Sequence, residues 1–132
     1  MILFNFNTKS NITNWNVISD VVMGGRSNGS FNINKKGFGV FEGYVSLENN
    51  GGFSMIQYKF DNKKVNSFNK FCIRLKGDGK NYQFRVKTNN GDQHSYVIPF
   101  KTLMSFHLKL IQNGKLLKFH LKACILRFVA EN

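Results

Sequence analysis

Short runs of alternating apolar residues, divided by turns rich in glycine and asparagine, constrain this chain more than any other feature. Ile2, Phe4 and Phe6 share one parity, as do Phe71, Ile73 and Leu75. A period of two sends successive side chains to opposite faces of a strand. Between such runs lie Gly24-Gly25-Arg26-Ser27-Asn28-Gly29, Lys35-Lys36-Gly37, Glu48-Asn49-Asn50-Gly51-Gly52, Asp78-Gly79 and Asn89-Asn90-Gly91-Asp92. Turns recurring about every ten residues predict a sandwich or barrel. The clearest hairpin joins residues 71–77 to 80–88 across Asp78-Gly79, because Asp-Gly suits the positive φ angles of a two-residue turn. A third strand, Ser95 to Phe100, follows. No helix is predicted before residue 102. Composition agrees: 18 Asn, 14 Phe and 12 Gly stand against two Ala, and helices draw on Ala, Leu and Glu. At 132 residues the chain is one domain.

The formal net charge is +12, from 19 Lys and Arg against seven Asp and Glu. Such a field attracts nucleic acid, anionic lipid or acidic protein. Of the basic residues 15 are Lys and four are Arg, and they are scattered. Phosphate-reading sites favour clustered Arg, so nucleic acid is disfavoured as a partner. Cys72 and Cys124 are too few for a disulfide framework or a zinc site. Met1 to Asn7 lacks the basic and continuous apolar parts of a signal peptide, and no run reaches the roughly 20 apolar residues of a membrane helix. A cytoplasmic protein without a membrane span is expected.

Catalytic and ligand-binding patterns are thin. The glycine-rich segment after Met23 leads into Ser30-Phe31-Asn32-Ile33, which alternates like a strand, whereas a phosphate cradle opens onto a helix. It reads as a turn, within which Arg26 can meet an anion or carboxylate. His94, at a loop-to-strand edge, reads as a solvated turn residue rather than part of a nucleophilic triad, and Asp78 and Asp92 lack the spacing of a calcium loop. No enzyme, metal or cofactor is predicted.

Several motifs stand in a telling order. Trp15 precedes Asp20-Val-Val-Met-Gly-Gly-Arg-Ser27; Phe41-Glu-Gly-Tyr-Val-Ser-Leu-Glu48 follows, then Asn50-Gly-Gly-Phe53, and Lys76-Gly-Asp-Gly-Lys80 with Tyr82-Gln-Phe84. From residue 1 to about 102 the chain resembles the complex I intermediate-associated protein 30 family, that of the NADH:ubiquinone oxidoreductase assembly factor and its bacterial relatives. The resemblance implies an all-β, galactose-binding-like jelly-roll β-sandwich. It also implies a non-enzymatic role in binding protein assembly intermediates. A carbohydrate-binding module is the alternative, which needs exposed aromatics such as Tyr44, Tyr58 and Tyr82 to converge in one groove. Asp20, Arg26, Asn50 and Asp78 are the candidates for organising loops or touching a partner. Met23, Gly24, Gly25, Gly51, Gly52, Gly77 and Gly79 are expected to hold turn geometry and close packing, and Trp15 and Phe53 to fill the core.

After Thr102 both the resemblance and the composition change. Residues 1–102 hold three Leu, no Ala and sixteen Asn; residues 103–132 hold seven Leu, both Ala and two Asn. A reading two nucleotides out of phase is compatible with family-like sequence. Asn113-Gly114 permits a spanning TGG codon for Trp, and Arg127 to Asn132 permits Phe-Arg-Gly-Arg-Lys. The expectation is a sandwich incomplete at its C-terminus, with an out-of-frame tail over 103–132. If ordered, that tail is a hairpin turning at Asn113-Gly114 or a helix from Lys115 to Val129.

Overall fold

The computed structural model describes residues 1–61, 63, 70–87, 93, 95–102, 106–111 and 126–129. Nine strands follow in chain order: β1 (Trp15–Ser19), β2 (Asn28–Ile33), β3 (Gly39–Tyr44), β4 (Ser54–Tyr58), β5 (Lys70–Leu75), β6 (Asn81–Val86), β7 (Tyr96–Lys101), β8 (Phe106–Ile111) and β9 (Leu126–Val129). The only helical pieces among the described residues are two 3-10 turns, Asp20–Met23 and Glu48–Asn50. The chain is thus all-β, as its turn spacing predicts.

The strands form small sheets: β1 with β4, β2-β3-β9, β5 with β8, and β6 with β7. Every pairing is antiparallel except that of β3 with β9. The arrangement is that of a β-sandwich. The β2–β3 hairpin closes over Asn34 to Phe38, where Asn34 Oδ1 accepts from the backbone N–H of Lys36 and Phe38. Gly37 has φ +80° there, a conformation that disfavours any side chain.

The main core is Trp15, Phe41, Ile56, Leu75 and Tyr82, and half-buried Phe4, Phe6, Phe31 and Tyr58 pack against it. Trp15 stacks on Tyr58 with ring centroids 4.6 Å apart and meets Phe4 edge-on at 5.3 Å. Phe84 and Val86 make a second cluster with Leu3, Phe60 and Ile98. Trp15 is a core residue as expected, while Phe53 is only half-buried.

Two expectations are corrected. The alternating start, Ile2 to Phe6, is not a strand. Side chains nearby take over the backbone instead: Asn7 Oδ1 accepts from Lys9 N–H, Asn11 Oδ1 accepts from Thr13 N–H, and Ser10 Oγ accepts from Asn7 N–H. Such local bonds compete with a sheet ladder. Phe4 and Phe6 still reach the core from irregular backbone.

The hairpin across Asp78-Gly79 does not form either. Strand β5 pairs with β8, with Leu75 opposite Phe106, and β6 pairs with β7, with Tyr82 opposite Phe100. Thr102 holds the turn: it is fully buried, its Oγ1 accepts from Gly79 N–H at 3.0 Å, and its N–H donates to Lys80 O at 2.9 Å. Gly79 does have positive φ, +88°. The residue chemistry was right for a turn, but the partner strand was not the adjacent one.

In the tail, Leu126–Val129 is extended and pairs with β3, so a helix does not run through to Val129. The Asn89–Asp92 loop, His94, His120, Cys124 and the Asn113-Gly114 turn lie outside the described residues.

Candidate functional site

At one end of the β1–β4 sheet, the 3-10 turn after β1 meets the loop that precedes β4. Asp20 joins them. The residue is fully buried, and its carboxylate takes four hydrogen bonds. Oδ1 accepts from Ser27 N–H at 2.8 Å, and Oδ2 accepts from the Ser27 hydroxyl at 2.5 Å, Gly52 N–H at 2.6 Å and Phe53 N–H at 3.3 Å. Burial alone raises a carboxyl pKa. Here the bonds from the Ser27 hydroxyl and the Gly52, Ser27 and Phe53 backbone outweigh it and hold the group at about 2, below the ordinary 3.8. Asp20 is therefore an ionised structural anion with its acceptor sites filled, not a general base.

The glycines explain themselves around that carboxylate. A Cβ on Gly25 would collide with Asp20 Cγ and Oδ1, and one on Gly51 would crowd Asp20 Oδ2. Gly24 ends the 3-10 turn with φ +85°. The Ser27 hydroxyl also accepts from Ser46 N–H at 3.0 Å, which ties in the segment after β3. Above this buried layer, Arg26 Nη1 contacts Glu48 Oε2 at 2.6 Å, and both side chains are exposed. Asn49 Nδ2 donates to Gly24 O at 3.1 Å. Asn50, the residue singled out in the sequence, and Asn49 both take left-handed φ, 56° and 54°.

Met23 departs from its expected packing role, with 66% of its surface exposed. Asp78 lies apart from the Asp20 cluster in sequence and bonding. It accepts from the Tyr82 hydroxyl at 2.6 Å and from Lys80 N–H at 3.1 Å, and pairs with Lys80 Nζ at 3.7 Å. A Cβ on Gly77 would collide with the Thr102 side chain. Asp20, Arg26, Ser27, Gly24, Gly25, Gly51, Gly52 and Phe53 are thus brought together, while Asp78, Gly77, Gly79 and Tyr82 organise a second turn.

Sequence reasoning missed Ser46, Glu48, Asn49 and Thr102. Ser46 lies within the Phe41-to-Glu48 motif, but nothing local gives its bond to Ser27, and nothing local marks Thr102, whose value comes from a distant backbone partner. Glu48 stood in the sequence as the end of the Phe41-to-Glu48 motif, without a sign that Arg26 is its partner.

Among the described residues no group of three or more His, Cys, Asp or Glu could hold a metal, and no helix is long and apolar enough to cross a membrane. The three tyrosines of the carbohydrate alternative do not share a groove. Tyr82 is buried in the core, Tyr58 stacks on both Trp15 and Phe60, and only Tyr44 is exposed. A family model described as complex I intermediate-associated protein 30 matches residues 4–112, from the N-terminal aromatics through β8. No curated protein and no solved structure gave a significant match.

Proposed function

The chain belongs to the complex I intermediate-associated protein 30 family, and from that premise we propose that it is a non-enzymatic binding module that holds protein assembly intermediates of complex I. The small sheets are read as a jelly-roll sandwich whose loops make the contact. The supporting observation is the Asp20 cluster. One buried carboxylate fixes two loops that are 32 residues apart at the Gly52 bond, and it leaves their outer side chains exposed. A site with its anion fully satisfied inside and its charged pair outside is suited to recognition rather than to turnover.

Arg26 is the partner-facing charge in this reading. A native pull-down comparing the wild-type chain with Arg26→Ala, run beside a glycan array, tests it. Recovery of complex I subunits that falls with Arg26→Ala, with no glycan bound, is the expected result. Specific glycan binding without subunit recovery would replace this reading with the carbohydrate one.

A further inference from the structure

We infer that the outward face of the β6–β7 pair binds an extended acidic segment of a partner protein. None of its residues belongs to the Asp20 loops, and the inference does not depend on Arg26. Alternation fixes which side chains form the face. Tyr82, Phe84 and Val86 of β6 are buried, so Asn81, Gln83 and Arg85 point the other way. Across the ladder these three stand opposite Lys101, Pro99 and Val97. Five of the six residues are exposed, and Arg85 is half-buried.

Charge on this face is local and of one sign. Its six residues include no Asp or Glu, and among the described residues neither Arg85 nor Lys101 has an acidic partner. The surrounding chain agrees. From residue 70 to 102 the described residues hold seven Lys or Arg against Asp78 alone, which pairs with Lys80, whereas residues 1–61 hold five against four. An acidic group at the face therefore meets attraction without help from distant charges, which salt screens beyond about 8 Å. Arg85 is also pre-set. Its Nε and Nη2 both donate to Gln83 Oε1, at 3.1 and 2.7 Å, which lays the guanidinium along the face. The edge formed by Nη1 and Nη2 is left for a carboxylate.

Spacing selects a protein segment as the occupant. Arg85 stands opposite Val97, four residues from Lys101, so the two cations are about 13 Å apart along the strands. An extended peptide returns a side chain to one face every second residue. Carboxylates at its positions i and i+4 therefore reach both cations, while the side chain at i+2 meets Gln83 and Pro99. A nucleic-acid strand carries a charge about every 3.4 Å of axis, so its middle phosphates would lie on the uncharged Gln83–Pro99 pair. Nor do the six residues include an aromatic ring for a base to stack on. Pro99 has no N–H to offer an added strand, so the segment lies across the face rather than along the edge of β7.

The test is fluorescence anisotropy of the full chain with a labelled peptide of about ten glutamates, at about 0.15 M salt, beside an oligodeoxythymidine of similar length. The wild type should bind the peptide, and more tightly than the oligonucleotide. Arg85→Glu with Lys101→Glu should weaken peptide binding about tenfold or more, because each attraction becomes a repulsion. Arg85→Gln with Lys101→Gln keeps the side-chain bulk in case the reversal disturbs the fold, and should weaken binding about threefold or more. Circular dichroism verifies that each variant is folded.

Lys35→Glu with Lys36→Glu is the control. It makes the same change in net charge as the face reversal, at two exposed residues of the β2–β3 turn. That pair should change peptide binding by less than about threefold. The inference is overturned if the wild type does not bind the peptide, if the folded face variants bind as the wild type does, or if the turn variant loses as much as the face reversal. It is equally overturned if the oligonucleotide binds the wild type more tightly than the peptide does, which would make the face a nucleic-acid surface.

Discussion

Asp20 shows what one residue does here. A buried carboxylate is tolerated only when hydrogen bonds replace its hydration, and this one receives four. Its folded pKa of about 2 lies below the ordinary 3.8. The group therefore contributes stability that is fully present above about pH 4 and is lost as pH falls through 2. Thermal unfolding followed between pH 5 and 2 should show this loss in the wild type and a flatter profile, from a lower starting point, in Asp20→Asn. An unchanged profile in the variant would remove Asp20 as the source. Arg26→Ala is expected to behave differently. Its pair with Glu48 is exposed on both sides, so stability should fall by less than about 1 kcal/mol in a denaturant titration, while partner binding drops. The Asp20-to-Ser27 run marked the right segment in the sequence. It did not say which polar residue lies buried and which faces water, because that depends on Gly52 and Phe53 arriving from far along the chain.

Among the elements, glycine positions were legible and strand partners were not. Gly24, Gly37 and Gly79 take positive φ, which their turn-rich surroundings announced. Gly25 is different, since its φ is not in that region and its requirement is space beside Asp20. Gly25→Ala should destabilise by about 1–3 kcal/mol, as overpacking does, with a lowered denaturation midpoint as the measurement. A neutral result would mean that the Asp20 loop shifts freely. The mistaken β5–β6 hairpin has a specific cause. Asp78-Gly79 fits a tight turn, but Thr102 occupies the space beside Gly77 and bonds Gly79 and Lys80. That contact delivers β7 to β6, and β5 takes β8 instead. Turn chemistry is local, whereas strand pairing is decided by whichever edge can also bury its apolar face.

For the whole molecule, the tail carries the sharpest prediction. The family match runs to residue 112, ten residues past the Thr102 boundary read from composition, and an out-of-phase codon at Asn113-Gly114 can spell Trp. An out-of-frame tail predicts AAT at Asn113 and a Phe-Arg-Gly-Arg segment across the codons from Arg127, which sequencing the gene reads directly. Restoring that frame should raise and sharpen the thermal transition, because a small domain is stable by only about 5–15 kcal/mol and a buried Trp alone is worth roughly 3–5. Codons that do not spell those residues, or a sharp reversible transition in the chain as it stands, would overturn this. Sequence by itself determined the all-β class, the positive-φ turns, Trp15 as a core residue and the family, because alternation, glycine and motif order act over a few residues at a time. Tertiary structure decided the pairing of β5 with β8, the burial of Asp20 beneath an exposed Arg26–Glu48 pair, and the outward Val21, Val22 and Met23. Those outcomes depend on which distant backbone groups come within hydrogen-bond reach, and no local pattern encodes that distance.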